Sequence, residues 1–308
     1  MAHPDSKHKF LHPRYWPTWL ALGLLWPFSR LPMVLLWAVG GALGQLLYAL
    51  HARGRRTAAR NIALCFPTLS AGARARLVRR HYRALGRAIV GTGFTWWATP
   101  RRQQTLVRIR DREHYDRALA ADRAIILLAP HFVMLELGGV RLAQERSRTM
   151  ISMYKQAHNA LIDWLMRRGR ERYGGIMFER DSALRPLIRR LRDGNPFYYL
   201  PDQTPGDAAR VFAPFFGIPA ATITALARMA QIADAVVIPC FTKQLPYGQG
   251  YEIIFKAPLE NFPSGDALAD ATRMNAAIEE GVREMPEQYM WTYKRFKQRP
   301  PGEPNLYG

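Results

Sequence analysis

The sequence predicts an α/β fold: a sheet flanked by helices, behind an N-terminal transmembrane anchor and a set of basic amphipathic helices. Three observations carry this. From Thr105 onward, short apolar strand-like runs alternate with helical ones. From Leu31 to Leu50 the chain carries no charge. Between His51 and Arg110 it carries fourteen arginines and no Asp or Glu. The expected division is residues 1–52 as anchor, 53–103 as basic membrane-surface helices and 104–308 as the α/β domain.

After a polar start, Met1 to Lys9, the stretch Trp16–Phe28 is apolar and is followed by Arg30 and the uncharged Leu31–Leu50 run. About 20 uncharged residues are enough to cross a bilayer. Trp16, Trp19, Trp26 and Trp37 suit interfacial positions, and Gly40-x3-Gly44 permits close helix packing. Pro27 and Pro32 leave two forms open, one kinked anchor or a hairpin. The apolar region is too long for a cleaved signal peptide and lacks a cleavage site. The arginines from Arg53 onward put the catalytic domain on the cytoplasmic side, although Lys7 and Lys9 weaken that signal.

From Arg55 to Trp97 the pattern is helical, with Ser70 as an N-cap and arginines opposite an apolar face over Ala73–Ile89. Such a segment lies on an anionic membrane surface. In the α/β part, strands are expected at Ala124–Ala129, Met150–Tyr154, Gly175–Phe178, Phe197–Leu200, Ala235–Phe241 and Tyr251–Phe255. Helices are expected at Leu161–Arg172, Ala183–Arg192, Thr222–Ile232 and Ala267–Glu284.

The chemistry gathers at Arg123-Ala-Ile-Ile-Leu-Leu-Ala-Pro130-His131-Phe-Val-Met-Leu-Glu136-Leu-Gly-Gly. Ala124–Ala129 has the length and composition of a strand buried on both faces. Pro130 ends it, so His131 sits at the strand-to-helix turn and Glu136 inside the next helix. On a continuous helix the two would lie about 140° apart. They meet only if His131 precedes the helix and Glu136 reaches back. Glu136 then orients the ring by accepting one N–H, as a general base requires. A second His-x4-acid pair, His158 and Asp163, follows no buried strand and is a surface feature.

Two further blocks are candidates. Asp163–Arg172 places several guanidinium groups, Arg170 among them, near a helix end, where planar paired donors suit phosphate or carboxylate. Phe197-Tyr-Tyr-Leu-Pro-Asp202-Gln203 delivers an acid and an amide at the C-terminal end of a strand, where α/β folds build their sites. Val211–Ala220 offers an apolar wall fit to line a hydrocarbon pocket. Glu287–Arg299 interleaves aromatics with basic residues, a pattern also found on nucleic-acid surfaces.

The net charge of +20 calls for an anionic partner: phospholipid headgroups, a phosphorylated glycolipid, an acidic carrier protein or nucleic acid. The two cysteines, Cys65 and Cys240, have no paired spacing, which excludes a disulfide framework and a zinc site and fits a reducing compartment. No Walker lysine motif, Gly-x-Ser-x-Gly elbow, Cys-x-x-Cys or dinucleotide-binding glycine fingerprint occurs.

Pro130-His131-Phe-x3-Glu136-Leu-Gly resembles the active-site block of the late acyltransferases of lipid A biosynthesis, relatives of the glycerol-phosphate acyltransferases with their His-x4-Asp motif. The resemblance runs from Phe10-Leu-His-Pro-Arg-Tyr-Trp16 to Pro286-Glu-Gln-Tyr-Met-Trp291, nearly the whole chain. It implies a glycerol-phosphate-acyltransferase-like sheet, one anchor and a place in the bacterial inner membrane with the catalytic domain facing the cytoplasm. It implies His131 as base and Glu136 as its orienting acid, with Arg170, Asp202 and Gln203 on the substrate. Thr204-Pro205 departs from the expected block, where a polar or acidic residue is usual. The donor implied is an acyl carrier protein thioester, with no metal or other cofactor. The acceptor implied is a hydroxyl of a phosphorylated, Kdo-bearing lipid A precursor, giving an acyloxyacyl group. Two other readings stand beside it: the same chemistry on another glycolipid or a lysophospholipid, and a non-enzymatic protein that binds anionic membrane or nucleic acid. The apolar N-terminal span has no use in nucleic-acid binding, so no nucleic-acid partner is expected.

Overall fold

The computed structural model describes residues 10–179, 184–204 and 209–307. The polar start Met1–Lys9, the first residue of the expected helix at Ala183, and Pro205 lie outside them.

Two helices open the chain, α1 (Trp16–Leu25) and α2 (Met33–Leu50), separated by a 3-10 turn at Trp26–Ser29 that contains Pro27. Arg102 donates to the backbone carbonyls of Arg30 and Leu31 in this corner. α2 is long and apolar enough to cross a membrane, with a mean hydropathy of 1.8. Its Met33, Leu36, Gly40, Gly41 and Gly44 are buried on one side, while Val34, Leu35, Val39, Leu46 and Leu50 are exposed.

α3 (Ala52–Cys65) and α4 (Ala71–Trp97) follow, the latter capped by Ser70, whose Oγ accepts from Ala73 N at 3.2 Å. α4 runs antiparallel to α2, and the crossing is as tight as glycine allows. A Cβ at Gly86 would lie 2.3 Å from both Gly40 O and Gly44 N. The Gly40-x3-Gly44 pattern thus serves packing inside this chain.

The rest alternates: α5 (Pro100–Leu106), β1 (Val107–Arg110), α6 (Glu113–Ala120), β2 (Ala124–Leu128), α7 (Leu135–Ala143), β3 (Ile151–Tyr154), α8 (Ala160–Glu171), β4 (Ile176–Glu179), α9 (Leu184–Arg192), β5 (Phe197–Tyr199), β6 (Arg210–Phe215), β7 (Ile218–Ile223), α10 (Ala225–Ala233), β8 (Ala235–Gln244), β9 (Tyr251–Phe255) and α11 (Ala267–Glu284). Seven strands form one sheet in the order β1-β9-β8-β2-β5-β3-β4. All neighbours pair in parallel except β8 with β9.

β2 is central, and its side chains divide as a two-sided strand must. Ala124, Ile126 and Leu128 join the core built with α9, α10 and α11. Ile125 and Leu127 join the other core, with α2, α6, α7 and the C-terminal half of α4. The result is a three-layer α/β/α body in which the N-terminal helices share the sheet's core.

Two expectations need correction. Val211–Ala220 is the greater part of an antiparallel hairpin, β6 with β7, and Phe215 is packed against Phe216, Tyr289 and Phe296. Its turn uses Phe216 at φ 51° and Gly217 at φ 76°, the two positive values a type I′ hairpin turn demands. The expected helix at Thr222–Ile232 starts later, because Thr222 and Ile223 finish β7. β-Branched residues pair well on a sheet.

Candidate active site

β2 and β5 are parallel neighbours in a register that places Leu128 beside Tyr199, and Ala129 N donates to Tyr199 O at 2.8 Å. Each strand then ends in the same way, apolar residue, proline, polar residue: Ala129-Pro130-His131 and Leu200-Pro201-Asp202. Proline offers no ladder donor, so both pairings stop at one level. His131 and Asp202, each three residues past the paired position, come face to face.

The contact is direct. Asp202 Oδ1 lies 2.6 Å from His131 Nδ1, and Asp202 Oδ2 accepts from the His131 backbone N–H at 2.9 Å. Asp202 is only 1% exposed. Burial pushes its carboxyl up, but the charge of His131 and the hydrogen bonds from its ring and backbone outweigh that, and the pKa falls below the usual carboxylate range. Burial likewise disfavours charged His131, but the Asp202 charge and hydrogen bond outweigh it and raise the imidazole above its ordinary value. With Nδ1–H given to Asp202, Nε2 keeps the free lone pair.

Glu136 is not the acid that orients this ring. It opens α7, and its carboxylate takes three hydrogen bonds from Arg170 on α8: Nε to Oε1 at 2.9 Å and to Oε2 at 3.1 Å, and Nη2 to Oε2 at 2.6 Å. Spacing within one segment suggested a His–Glu pair. Register across the sheet makes a His–Asp pair and a Glu–Arg pair instead. The signal that could have found it was the repeated apolar-Pro-polar ending. Gln203 follows Asp202 in the same turn and is half-buried. His158 is exposed, and Asp163 accepts from Ala157 N at 2.8 Å.

A cavity adjoins the Glu136–Arg170 pair. Both residues line it, together with Leu135, Gly139, Val140 and Ala143 of α7, Met150, Ser152 and Met153 at β3, Met177 of β4, and Tyr198 and Leu200 at β5. Its wall is therefore apolar apart from the ion pair, Ser152 and Tyr198. Nothing from Val211–Ala220 contributes to it; those aromatics belong to the core.

The loop bearing His131 is clamped by the C-terminal block. Met290 N donates to His131 O at 3.0 Å and Val133 N to Gln288 O at 2.9 Å, with Phe132 bridged to Tyr289. The Gln288 side chain is fixed in turn by both backbone groups of Gln244, at 2.7 and 3.1 Å. His81 of α4, buried and held neutral by a pKa lowered to about 4, binds Glu287 O at 3.1 Å. Three of the four interleaved aromatics of this block are interior, and Tyr293 is half-buried. Tyr289, Trp291 and Phe296 are buried, and so is Arg295, which donates to Ala221 O at 2.6 Å. These three rings have no free face for a base to stack on.

The clamp also limits what the backbone can do. His131 N is bound to Asp202, Phe132 N to Pro130 O at 2.7 Å and Val133 N to Gln288 O. Arg170 Nη1, by contrast, makes no hydrogen bond with a described residue.

The candidate site thus has two parts: a histidine held by a carboxylate at two strand ends, and an arginine paired with Glu136 in the wall of an apolar cavity. Comparison with known proteins identifies the family. Residues 3–298 match the family described as bacterial lipid A biosynthesis acyltransferase. The chain is 35% identical over 305 residues to the lipid A biosynthesis lauroyltransferase of Escherichia coli (strain K12), covering 99% of each protein. It is 33% identical over 300 residues to that organism's palmitoleoyltransferase, covering 97% of each, and 28% identical over 304 residues to its myristoyltransferase, covering 99% of this chain and 94% of that one. The chain belongs to the bacterial lipid A biosynthesis acyltransferase family, and it is an O-acyltransferase.

Proposed function

We propose that this protein transfers a fatty acyl chain from an acyl carrier protein thioester to a hydroxyl of a phosphorylated, Kdo-bearing lipid A precursor, forming an acyloxyacyl group. The observation that carries the reading is the adjacency of chemistry and cavity: the Glu136–Arg170 pair is itself part of the wall of an apolar pocket. That pocket is the place for the acyl chain.

His131 Nε2 takes the proton of the acceptor hydroxyl, and the oxygen attacks the thioester carbon. Asp202 stabilises the imidazolium that forms. The carbon–sulfur bond breaks, the thiolate leaves, and the proton on Nε2 returns to it, so one ester and one free thiol result. The negative charge on the carbonyl oxygen needs a donor. Arg170 Nη1 supplies it, because the N–H groups of residues 131–133 are already bound. Glu136 holds Arg170 in place, and Gln203 contacts the acceptor.

The exposed apolar residues of α1, α2 and the turn between them, among them Trp16, Leu20, Leu24, Trp26 and Leu35, anchor the protein in the inner membrane. Arg53 and Arg56, exposed just after α2, face the anionic cytoplasmic surface. The excess positive charge suits both acidic partners, carrier protein and lipid.

The test is mass spectrometry of a tetraacylated, Kdo-bearing lipid A precursor incubated with acyl carrier protein thioesters and detergent-solubilised protein. Gain of one acyl chain with wild type and none with His131→Ala is expected, and the mass gives the chain length. No gain from any thioester overturns the assignment.

A further inference from the structure

The arginines of residues 163–172 part company on folding. Arg170 turns towards α7 and Glu136, whereas Arg167, Arg168 and Arg172 are exposed and line an open groove with Trp96, Trp97 and Trp164. The carboxylates in that groove are occupied: Asp163 accepts from Ala157 N at 2.8 Å, and Glu171 pairs with Arg167 at 3.4 Å. Arg168 and Arg172 have no carboxylate partner among the described residues. Arg168 lies over the Trp164 ring, 5.4 Å from its centroid, and Arg172 donates to Trp96 O at 3.0 Å. Trp96 Nε1 is buried, with no hydrogen-bond partner among the described residues.

We infer that this groove binds the phosphate monoester of the lipid acceptor. The assignment rests on the proposed reaction only in taking that acceptor to be a phosphorylated glycolipid. Two guanidinium groups with no carboxylate partner among the described residues suit a dianion with several acceptor oxygens. The position also fits a lipid headgroup. Trp96, Trp97 and Trp164 pack in one cluster with Tyr15 and Leu22, and Leu22 belongs to α1, whose Leu20 and Leu24 are exposed. Indoles beside an apolar face are what a membrane–water interface favours. Only the last turns of α8 separate the groove from the Glu136–Arg170 pair, and a helix with its side chains is about 10 Å across. A disaccharide spans that width, so its phosphate can stay in the groove while an acyl chain enters the cavity lined by Glu136 and Arg170.

The test is binding without turnover, in detergent and without thioester, using the phosphorylated precursor and the same lipid after phosphatase treatment. Wild type, Arg168→Gln and Arg168→Gln/Arg172→Gln are compared. Loss of charge-assisted hydrogen bonds predicts binding of the phosphorylated lipid weakened about tenfold or more in the double variant, less in the single, with the dephosphorylated lipid bound alike by all three. Equal binding of the phosphorylated lipid by wild type and both variants overturns the proposal. So does an equal loss for both lipids together with reduced binding to anionic phospholipid vesicles, which would assign the groove to bulk headgroups. If wild type transfers no acyl chain yet binds in this phosphate-dependent way, the groove stands and the proposed reaction falls.

Discussion

Arg170 donates to both oxygens of Glu136, with nitrogen–oxygen separations of 2.6 to 3.1 Å, and the two side chains are largely enclosed. Removing either member leaves the other charge without its partner. Glu136→Gln and Arg170→Met should each destabilise the protein, while the double variant recovers part of the loss. A coupling of about 1–3 kcal/mol is expected from chemical denaturation of the four proteins in detergent. Additive losses would mean that the pair contributes no interaction of its own.

The base and its acid make a sharper prediction. His131→Ala should lower the initial rate of acyl transfer by about 10²–10⁴ with the circular dichroism unchanged. Retention of most of the rate would place the base elsewhere.

Asp202→Asn preserves size but removes the charge that raises His131. Transfer needs the neutral imidazole, so the rate falls as pH drops through the His131 pKa. In the variant that acidic limb should move to lower pH, and the rate plateau should fall. Stability changes in a defined window. The raised His131 contributes fully below the ordinary imidazole value of about 6.5 and is lost as pH rises through its folded pKa. The depressed Asp202 contributes above the ordinary carboxylate value of about 3.9 and is lost as pH falls through its own. The stability gap between wild type and Asp202→Asn should therefore be widest between about pH 4 and 6.5. A gap independent of pH across that range would contradict the pairing.

The proposed seat of the acyl chain makes chain length depend on this cavity. Ala143 of α7 lines it, and Ala143→Leu fills space that methylenes would occupy. Competing thioesters of different length should shift the product towards shorter chains. Each excluded methylene costs about 0.8 kcal/mol, roughly fourfold in preference. An unchanged product distribution would move the acyl chain out of this cavity.

The crossing of α2 and α4 allows a contrast between two glycines. Gly86→Ala puts a methyl 2.3 Å from the backbone of α2 and should lower stability by about 1–3 kcal/mol. Gly72→Ala, in the exposed first turn of α4 with nothing nearer than Arg76 Nη1 at 3.5 Å, should raise it by about 0.5–1 kcal/mol. Denaturation midpoints of the two variants decide the matter.

Much of the sheet was legible because its strands are short, largely apolar and punctuated by proline or glycine. Ala124–Ala129 and Tyr251–Phe255 are examples, found at 124–128 and at 251–255. The β6–β7 hairpin was not legible. Pro214, Gly217 and Pro219 disguise it, yet Pro214 pairs with Pro219 at matching positions, and the turn needs the glycine. The site was half legible. His131, Glu136, Arg170 and Asp202 could each be singled out, but who pairs with whom depends on which strands are neighbours. Local spacing carries no such information. The C-terminal clamp was missed because alternating aromatic and basic residues look like a surface until Trp291 and Arg295 are seen buried.

That clamp makes the shape of the His131 loop a property of two distant parts of the chain. Gln288 and Met290, which hold the backbone on either side of Phe132, lie far downstream of the strand that delivers His131. A chain synthesised only as far as Asp202 has both members of the His–Asp pair but lacks the contacts that hold this loop. A truncation before Glu287 keeps every side chain of the site and loses the backbone contacts that hold the His131 loop.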